Sequence, residues 1–286
     1  MEVPYLESDA TPAQMQAIGT RLSLYGMNNQ TIYNPYQEAV AVHVPAVIGT
    51  KLAQLFAYEA MGYAPVFEEE KAEERYNFIQ KRLEFANTLG HILPLGVHSG
   101  RAYPFVVHNL INTVVHAATG DTQLAKDLVA YESGGSDVPP HIDFPGSIAE
   151  PAQDKLHGLN IHLTLSGIGQ ASFGLMRKFQ SARTLAEGIG QARQNGLTTL
   201  EINYYLASMG EPSDSDPRIP TALREGVAYV DLAMQQASEP VTLHPGDVVI
   251  FQARQHVQKG LLPTVHKFTT VEEPRWYTVF TPNGEP

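Results

Sequence analysis

The feature that most constrains this chain is a change of texture near residue 133. Upstream, apolar residues recur at helical spacing. Downstream they gather in short β-branched and aromatic runs punctuated by Gly and Pro. Thr11-Pro12-Ala13-Gln14 opens a helix, with Thr11 at the N-cap, Pro12 at the first helical position and Gln14 closing a capping box. Residues 50–61 carry Leu52, Leu55 and Phe56 on a helical period, with Gly62 as the stop. Residues 68–89 align Tyr76, Ile79, Leu83 and Ala86 opposite a charged face. Two more helices are expected over 104–118 and 122–132, divided by Gly120-Asp121 as terminating glycine and new N-cap. The tyrosine-rich stretch 25–36 has no period and reads as a loop, whose tyrosines serve ordinary packing or, as the alternative, close over a small molecule.

After residue 133 the runs 159–165, 171–175, 199–205, 227–232, 248–251 and 276–280 predict strands. A helical stretch, 181–194, and a polar loop, 211–220, read as insertions between them. No repeat or linker divides the chain. The expectation is one composite domain over 1–286, mainly β with a helical N-terminal half (1–132) and a sheet core over 133–282 carrying insertions around 181–220.

Nineteen Lys and Arg against 30 Asp and Glu leave a net charge of −11, which disfavours nucleic acid and anionic membrane as partners. A small-molecule partner is the expectation. The chain has no cysteine, so disulfides, thiolate metal sites and cysteine nucleophiles are excluded. Any metal must sit on His, carboxylate or amide ligands. Met1-Glu2-Val3-Pro4-Tyr5 does not begin a signal peptide, and no run is long and apolar enough to span a bilayer, so a cytoplasmic location is the default. Gly188-Ile189-Gly190 is too isolated for a dinucleotide site, and no Gly-X-Ser-X-Gly elbow is present.

Eleven histidines invite a search for metal ligands. His141-Ile142-Asp143 stands where the helical half gives way to strands, and residues i and i+2 of a strand share a face, so both side chains can reach one ion. A chance His-X-Asp somewhere in such a chain has a probability of roughly one half, so the motif alone is weak. Far downstream His266 follows a Gly-Pro-punctuated stretch, and Arg275 comes after it ahead of an apolar run. Two His and one carboxylate form the facial triad that holds Fe(II) with positions left open. A guanidinium offers a planar two-donor clamp for a carboxylate.

His141-Ile142-Asp143, the run Leu159-Asn160-Ile161-His162-Leu163-Thr164-Leu165, Pro245-Gly246-Asp247-Val248-Val249-Ile250-Phe251, His266, and Arg275 before a final strand form an ordered set. Over roughly residues 133 to 282 this set resembles the Fe(II)/2-oxoglutarate-dependent dioxygenases. The resemblance implies a double-stranded β-helix core, a cupin-like jelly roll, flanked by helices. It implies His141, Asp143 and His266 as iron ligands and Arg275 as the partner of the far carboxylate of 2-oxoglutarate, with O₂ as the second co-substrate. It places further co-substrate contacts on the strand bearing Asn160 and Thr164. Hydroxylation of a C–H bond is the commonest outcome in the family, with desaturation and cyclisation as relatives. The family's halogenating members lack the carboxylate, which here is Asp143. A secondary-metabolite intermediate or an amino-acid-like molecule suits the acidic surface.

Two departures stand out. Asp143 and His266 are far apart, which the insertions around 181–220 explain. Many members carry a Ser two residues after the Arg as a second donor to the co-substrate; here that position is Tyr277, which is expected to donate to the co-substrate instead or to leave that role to a residue elsewhere. His256 is a weaker candidate for the distal ligand, His244 reads as a turn residue, and His98 and His108 as structural or surface residues. His162 shares the Asn160–Thr164 face, which a solvated polar face explains as well as a binding role. The rival class is a redox-silent cupin-like isomerase or small-molecule-binding protein. In a structural protein, His141, Asp143 and His266 would not converge at all.

Overall fold

The computed structural model describes residues 11–50, 53, 95–98, 101–120, 128–134, 137–142, 159–176, 179–198, 201–202, 205–206, 216–252, 254–257 and 260–282. Among them the chain forms helix α1 (Thr11–Leu24), strands β1 (Gln30–Tyr33), β2 (Ala39–Val44), β3 (Leu95–His98) and β4 (Arg101–Pro104), and helix α2 (Phe105–Thr119). Strands β5 (Leu128–Gly134), β6 (Val138–His141) and β7 (Leu159–Leu175) follow, then helices α3 (Phe179–Gln194) and α4 (Thr221–Gln235). The last strands are β8 (Val241–Leu243), β9 (Val248–Gln252), β10 (Arg254–Val257) and β11 (Gly260–Pro282). No described helix is long and apolar enough to cross a membrane.

Nine strands form one sheet in the order β1-β2-β9-β7-β11-β10, with β8 joined to β7, and β5 and β6 to β11. Every described pairing is antiparallel. Strands β3 and β4 make a separate hairpin. The sheet's axis is the long β7–β11 ribbon, which runs from Thr264 opposite Leu175 to Phe280 opposite Ile161.

That ribbon is folded back on itself. In the first half of β7 the odd residues Leu159, Ile161, Leu163 and Leu165 join Val42, Val44, Val248 and Ile250 in a core roofed by α1 and α2. In the second half the odd residues Ala171, Phe173 and Leu175 join a different core with Val249, Phe251 and Phe268. The parity of the inner face therefore switches between Leu165 and Ala171, across Gly167, whose φ of 65° favours glycine. Extended, the span from Asn160 to Phe173 would be roughly 40 Å. Yet Phe251, the neighbour of Asn160 on β9, lies with its ring centroid 5.1 Å from that of Phe173. The two halves face each other as layers.

Helices α1 and α2 cover the outer face of the first layer through Met15, Ile18, Leu22, Ile111, Val114 and Val115. Arg21 donates to the carbonyls of Ala118 and Thr119 at the end of α2, and Gly120, at φ 75°, ends that helix in the expected way. Helices α3 and α4 pack on the second layer. A Cβ on Gly188 would collide with the backbone of Ala222 and Leu223, so that glycine serves helix contact rather than nucleotide binding.

Four expectations are corrected. Residues 128–132, expected as the end of a helix, lie in β5, which pairs with β11. The loop expected over 25–36 contains β1, paired with β2. Residues 227–232, expected as a strand, lie in α4, whose buried Leu223, Gly226, Val227, Val230 and Ala233 follow a helical period. Within 199–205, also expected as a strand, the described residues 201, 202 and 205 are helical. The N-terminal half thus holds strands β1 to β5 besides its helices. Of the helix expected over 50–61 only Thr50 and Ala53 are described, both helical; that expected over 68–89 lies outside the described residues.

Candidate functional site

The fold-back brings the described sequence candidates, Asp143 not being among them, to one inner face. On β7 the residues between the core leucines and isoleucine are Asn160, His162, Thr164 and Ser166, none more than 6% exposed. The polar face open to solvent is therefore excluded for them. Polar side chains are costly to bury, so a polar stripe between two apolar layers is a feature that needs an account. The Thr164 hydroxyl is buried and hydrogen-bonds to no described group.

Opposite this stripe runs β11. His266, 2% exposed, pairs directly with His141 of β6, and their ring centroids lie 4.1 Å apart at 56°. The His266 ring is flanked by Phe251 at 4.6 Å and Phe173 at 6.4 Å. Two imidazoles on adjacent strands in direct register are suitably spaced to share one ion. The third expected ligand, Asp143, lies outside the described residues. Among the described residues no group of three or more His, Asp or Glu is placed to hold a metal.

Further along β11 the pairing with β7 breaks at three steps between Thr270 and Tyr277. This is a bulge, the device by which a strand re-aims a side chain. The backbone N–H of Thr270 donates to the Asp137 carboxylate at 2.6 Å just before it. The bulge sends Arg275 inward, where it is the largest fully buried side chain among the described residues, and none of its Nε, Nη1 and Nη2 atoms hydrogen-bonds to a described group. Room for it exists because residue 169 is glycine: a Cβ there would stand 2.6 Å from Nε and 3.0 Å from Cδ. Burial pushes the guanidinium below its ordinary pKa, with Tyr277 and Asp137 pulling the other way, but an arginine stays charged in proteins.

The guanidinium rests on aromatic faces. Its Cζ lies 4.6 Å from the Tyr277 centroid and 5.4 Å from that of Phe268. His162 stacks on both rings, at 4.1 Å and 11° to Phe268 and at 4.2 Å and 27° to Tyr277. Tyr277 sits opposite Thr164 in the ribbon. A charged fork whose donors have no hydrogen-bond partner among the described residues suits a planar carboxylate.

One turn braces this arrangement. The Asp247 carboxylate accepts from the His43 ring at 3.0 Å and from the backbone N–H groups of Ala46 and His244, both at 2.9 Å. Thr164 donates its N–H to the Asp247 carbonyl at 2.9 Å and accepts from Gly246 at 2.8 Å. Burial works to raise the Asp247 pKa, but these three donors hold it below the ordinary value. His244 is the turn residue its sequence suggested. His256 pairs with Leu261 in the β10–β11 hairpin, His98 ends β3 and His108 lies in α2.

Sequence reasoning passed over Phe268, Asp137 and Gly169. Only the last left a signal: Gly167 and Gly169 inside one apolar strand mark a bend or a close approach.

No family model matches the chain, and no curated protein matches it. Among solved structures, a similar chain is an asparagine oxygenase in complex with Fe(II), 2S,3S-3-hydroxyasparagine and succinate. It is 13% identical, the match covers 82% of this chain and 91% of that one, and the TM-score is 0.30.

Proposed function

We propose that this protein is an Fe(II)- and 2-oxoglutarate-dependent dioxygenase that oxidises a C–H bond of a small molecule, hydroxylation being the expected outcome. The observation that carries the reading is Arg275: a fully buried guanidinium with no hydrogen-bond partner among the described residues, on the same strand as a histidine that faces His141. An isolated buried charge is strongly unfavourable, so such a group implies a partner that arrives from solution. The sheet's two facing layers agree with the double-stranded β-helix that this reading expects.

In this reading His141, His266 and Asp143 hold the iron. When bound, the iron and 2-oxoglutarate supply the oxidising chemistry with O₂, releasing succinate and CO₂. The chain's own residues do the rest. Arg275 fixes the far carboxylate of the co-substrate, and the Thr164 hydroxyl adds a second donor. Asn160 contributes a further polar contact from the same strand face, and Tyr277 supports Arg275 with its ring. Phe173, Phe251 and Phe268 exclude water around His266, which strengthens every charge interaction there. An amino-acid-like molecule or secondary-metabolite intermediate is the expected substrate class.

The test is anaerobic titration of metal-free protein with Fe(II) and then 2-oxoglutarate. The expected result is the weak visible charge-transfer band of an iron-bound 2-oxo acid, weakened or absent in Arg275→Ala. Tight metal binding without a band would end the dioxygenase reading and favour a redox-silent, cupin-like metalloprotein.

A further inference from the structure

We infer that His162 is a positioning residue: stacked against both Phe268 and Tyr277, it fixes the two rings as a shelf that aims the Arg275 guanidinium without hydrogen-bonding to it. The inference rests on the reading of Arg275 as an anion clamp, but it concerns how the clamp is held. An arginine in a binding site is ordinarily oriented by carboxylate or carbonyl acceptors, which occupy some of its five donors. Here none of its three nitrogens has such a partner among the described residues. What touches it instead is aromatic, with Tyr277 and Phe268 4.6 Å and 5.4 Å from Cζ, and Gly169 beneath its Nε. Ring faces attract a cation without consuming its N–H groups. All the donors therefore stay available to the incoming carboxylate.

Two rings that belong to opposite layers do not hold a shelf by themselves. Phe268 stands opposite Ala171 in the second layer, and Tyr277 opposite Thr164 in the first. Their centroids are 6.3 Å apart with planes only 17° from parallel. His162 bridges them, nearly parallel to Phe268 and in stacking contact with both. At 3% exposure it is held from all sides, so its ring sets the spacing and tilt of its neighbours. Tyr277 thereby serves the clamp through its ring face, where many relatives in the resemblance would use a serine hydroxyl.

The test compares His162→Phe, which keeps a flat ring, with His162→Ala, which removes it, each checked by thermal melting. The first readout needs no ligand: the Arg275 Nε–H resonance in ¹⁵N-labelled protein, assigned by its disappearance in Arg275→Lys. Ring currents should displace it in wild type and in His162→Phe, and it should move toward the free-arginine position in His162→Ala. The second is the dissociation constant for 2-oxoglutarate with Fe(II) under anaerobic conditions, expected to rise about tenfold or more in His162→Ala and within about threefold of wild type in His162→Phe. An unmoved resonance in His162→Ala, or equal weakening in both variants, overturns the shelf, the latter because it would mean that the imidazole itself binds. If His162→Ala does not fold, Tyr277→Leu removes the other half of the shelf and must move the same resonance. A displaced resonance in a wild type that binds no 2-oxoglutarate would sink the dioxygenase reading and leave the shelf standing.

Discussion

Gly169→Ala adds a single methyl group at the point where β7 passes under Arg275. Its Cβ would lie 2.6 Å from Nε and 3.0 Å from Cδ. An ordinary contact needs roughly 3.5 Å, so the side chain must retreat by about 1 Å. Arg275 has no exposed surface to swing into, and its guanidinium is already against Tyr277 and Phe268. Overpacking of this kind costs about 1–3 kcal/mol, a fall of a few degrees in Tm for a chain this long. A displacement of about 1 Å in a positioning group lowers the rate about a hundredfold. We therefore expect kcat/KM for 2-oxoglutarate to fall by roughly two orders of magnitude, while Fe(II) affinity stays near wild type because His141 and His266 are untouched. Turnover with saturating substrate and varied 2-oxoglutarate measures the first, and anaerobic metal titration the second. A variant with unchanged KM, kcat and Tm would show that Arg275 has slack the structure does not reveal, and the argument for a rigid clamp would fail.

Arg275→Met should abolish 2-oxoglutarate binding yet leave the Tm of the ligand-free protein at or above wild type, because a lone buried charge opposes folding; a variant melting well below wild type would make Arg275 a structural residue. Added 2-oxoglutarate with Fe(II) at about 100 times its dissociation constant should stabilise wild type by about 2.7 kcal/mol in a thermal-shift series, and Arg275→Met not at all. Asp247→Asn should cost about 2–3 kcal/mol at pH 7, since charge-assisted hydrogen bonds are lost from a buried carboxylate. The folded pKa of Asp247 lies below its unfolded value, so its contribution is complete above about pH 4 and is lost as the pH falls through the folded value. Urea unfolding should show the gap between wild type and Asp247→Asn closing on acidification, and a constant gap would contradict the assignment. Asp143→Gly should eliminate turnover and weaken Fe(II) binding; unchanged turnover would remove Asp143 from the ligand set.

What could be read from the sequence was local. Alternation along 159–165 gave the strand and the shared face of Asn160, His162 and Thr164, but not its burial, because the covering layer comes from residues 171–175 and 266–268. The helix over Phe105–Thr119 and its terminating Gly120 were legible because period and stop signal lie in one window. Residues 227–232 misled because Val227, Tyr229 and Val230 favour strands when taken alone, whereas a window opened at Thr221 shows the helical period. Residues 128–134 misled for the opposite reason: their partner, 276–282, lies far downstream, and pairing overrode local helix preference. His266 and Arg275 were found as a spaced pair, but the bulge between them and the glycine beneath Arg275 are tertiary facts.

The folded-back ribbon also fixes when this protein can acquire its chemistry. Partners along β7 and β11 are roughly 90 to 120 residues apart in the chain, so closing the ribbon carries a large loop-closure entropy and belongs to the slow, non-local class of folding events. Helices α1 and α2 can gather early through near neighbours, but the clamp and the histidine pair cannot exist before β11 has docked. On the ribosome His266 and Arg275 emerge after nearly every other described residue, and until then β7 offers an apolar edge to whatever is nearby. Refolding followed by the Arg275 resonance and by far-ultraviolet ellipticity should therefore give two rates, with helix formed well before the clamp.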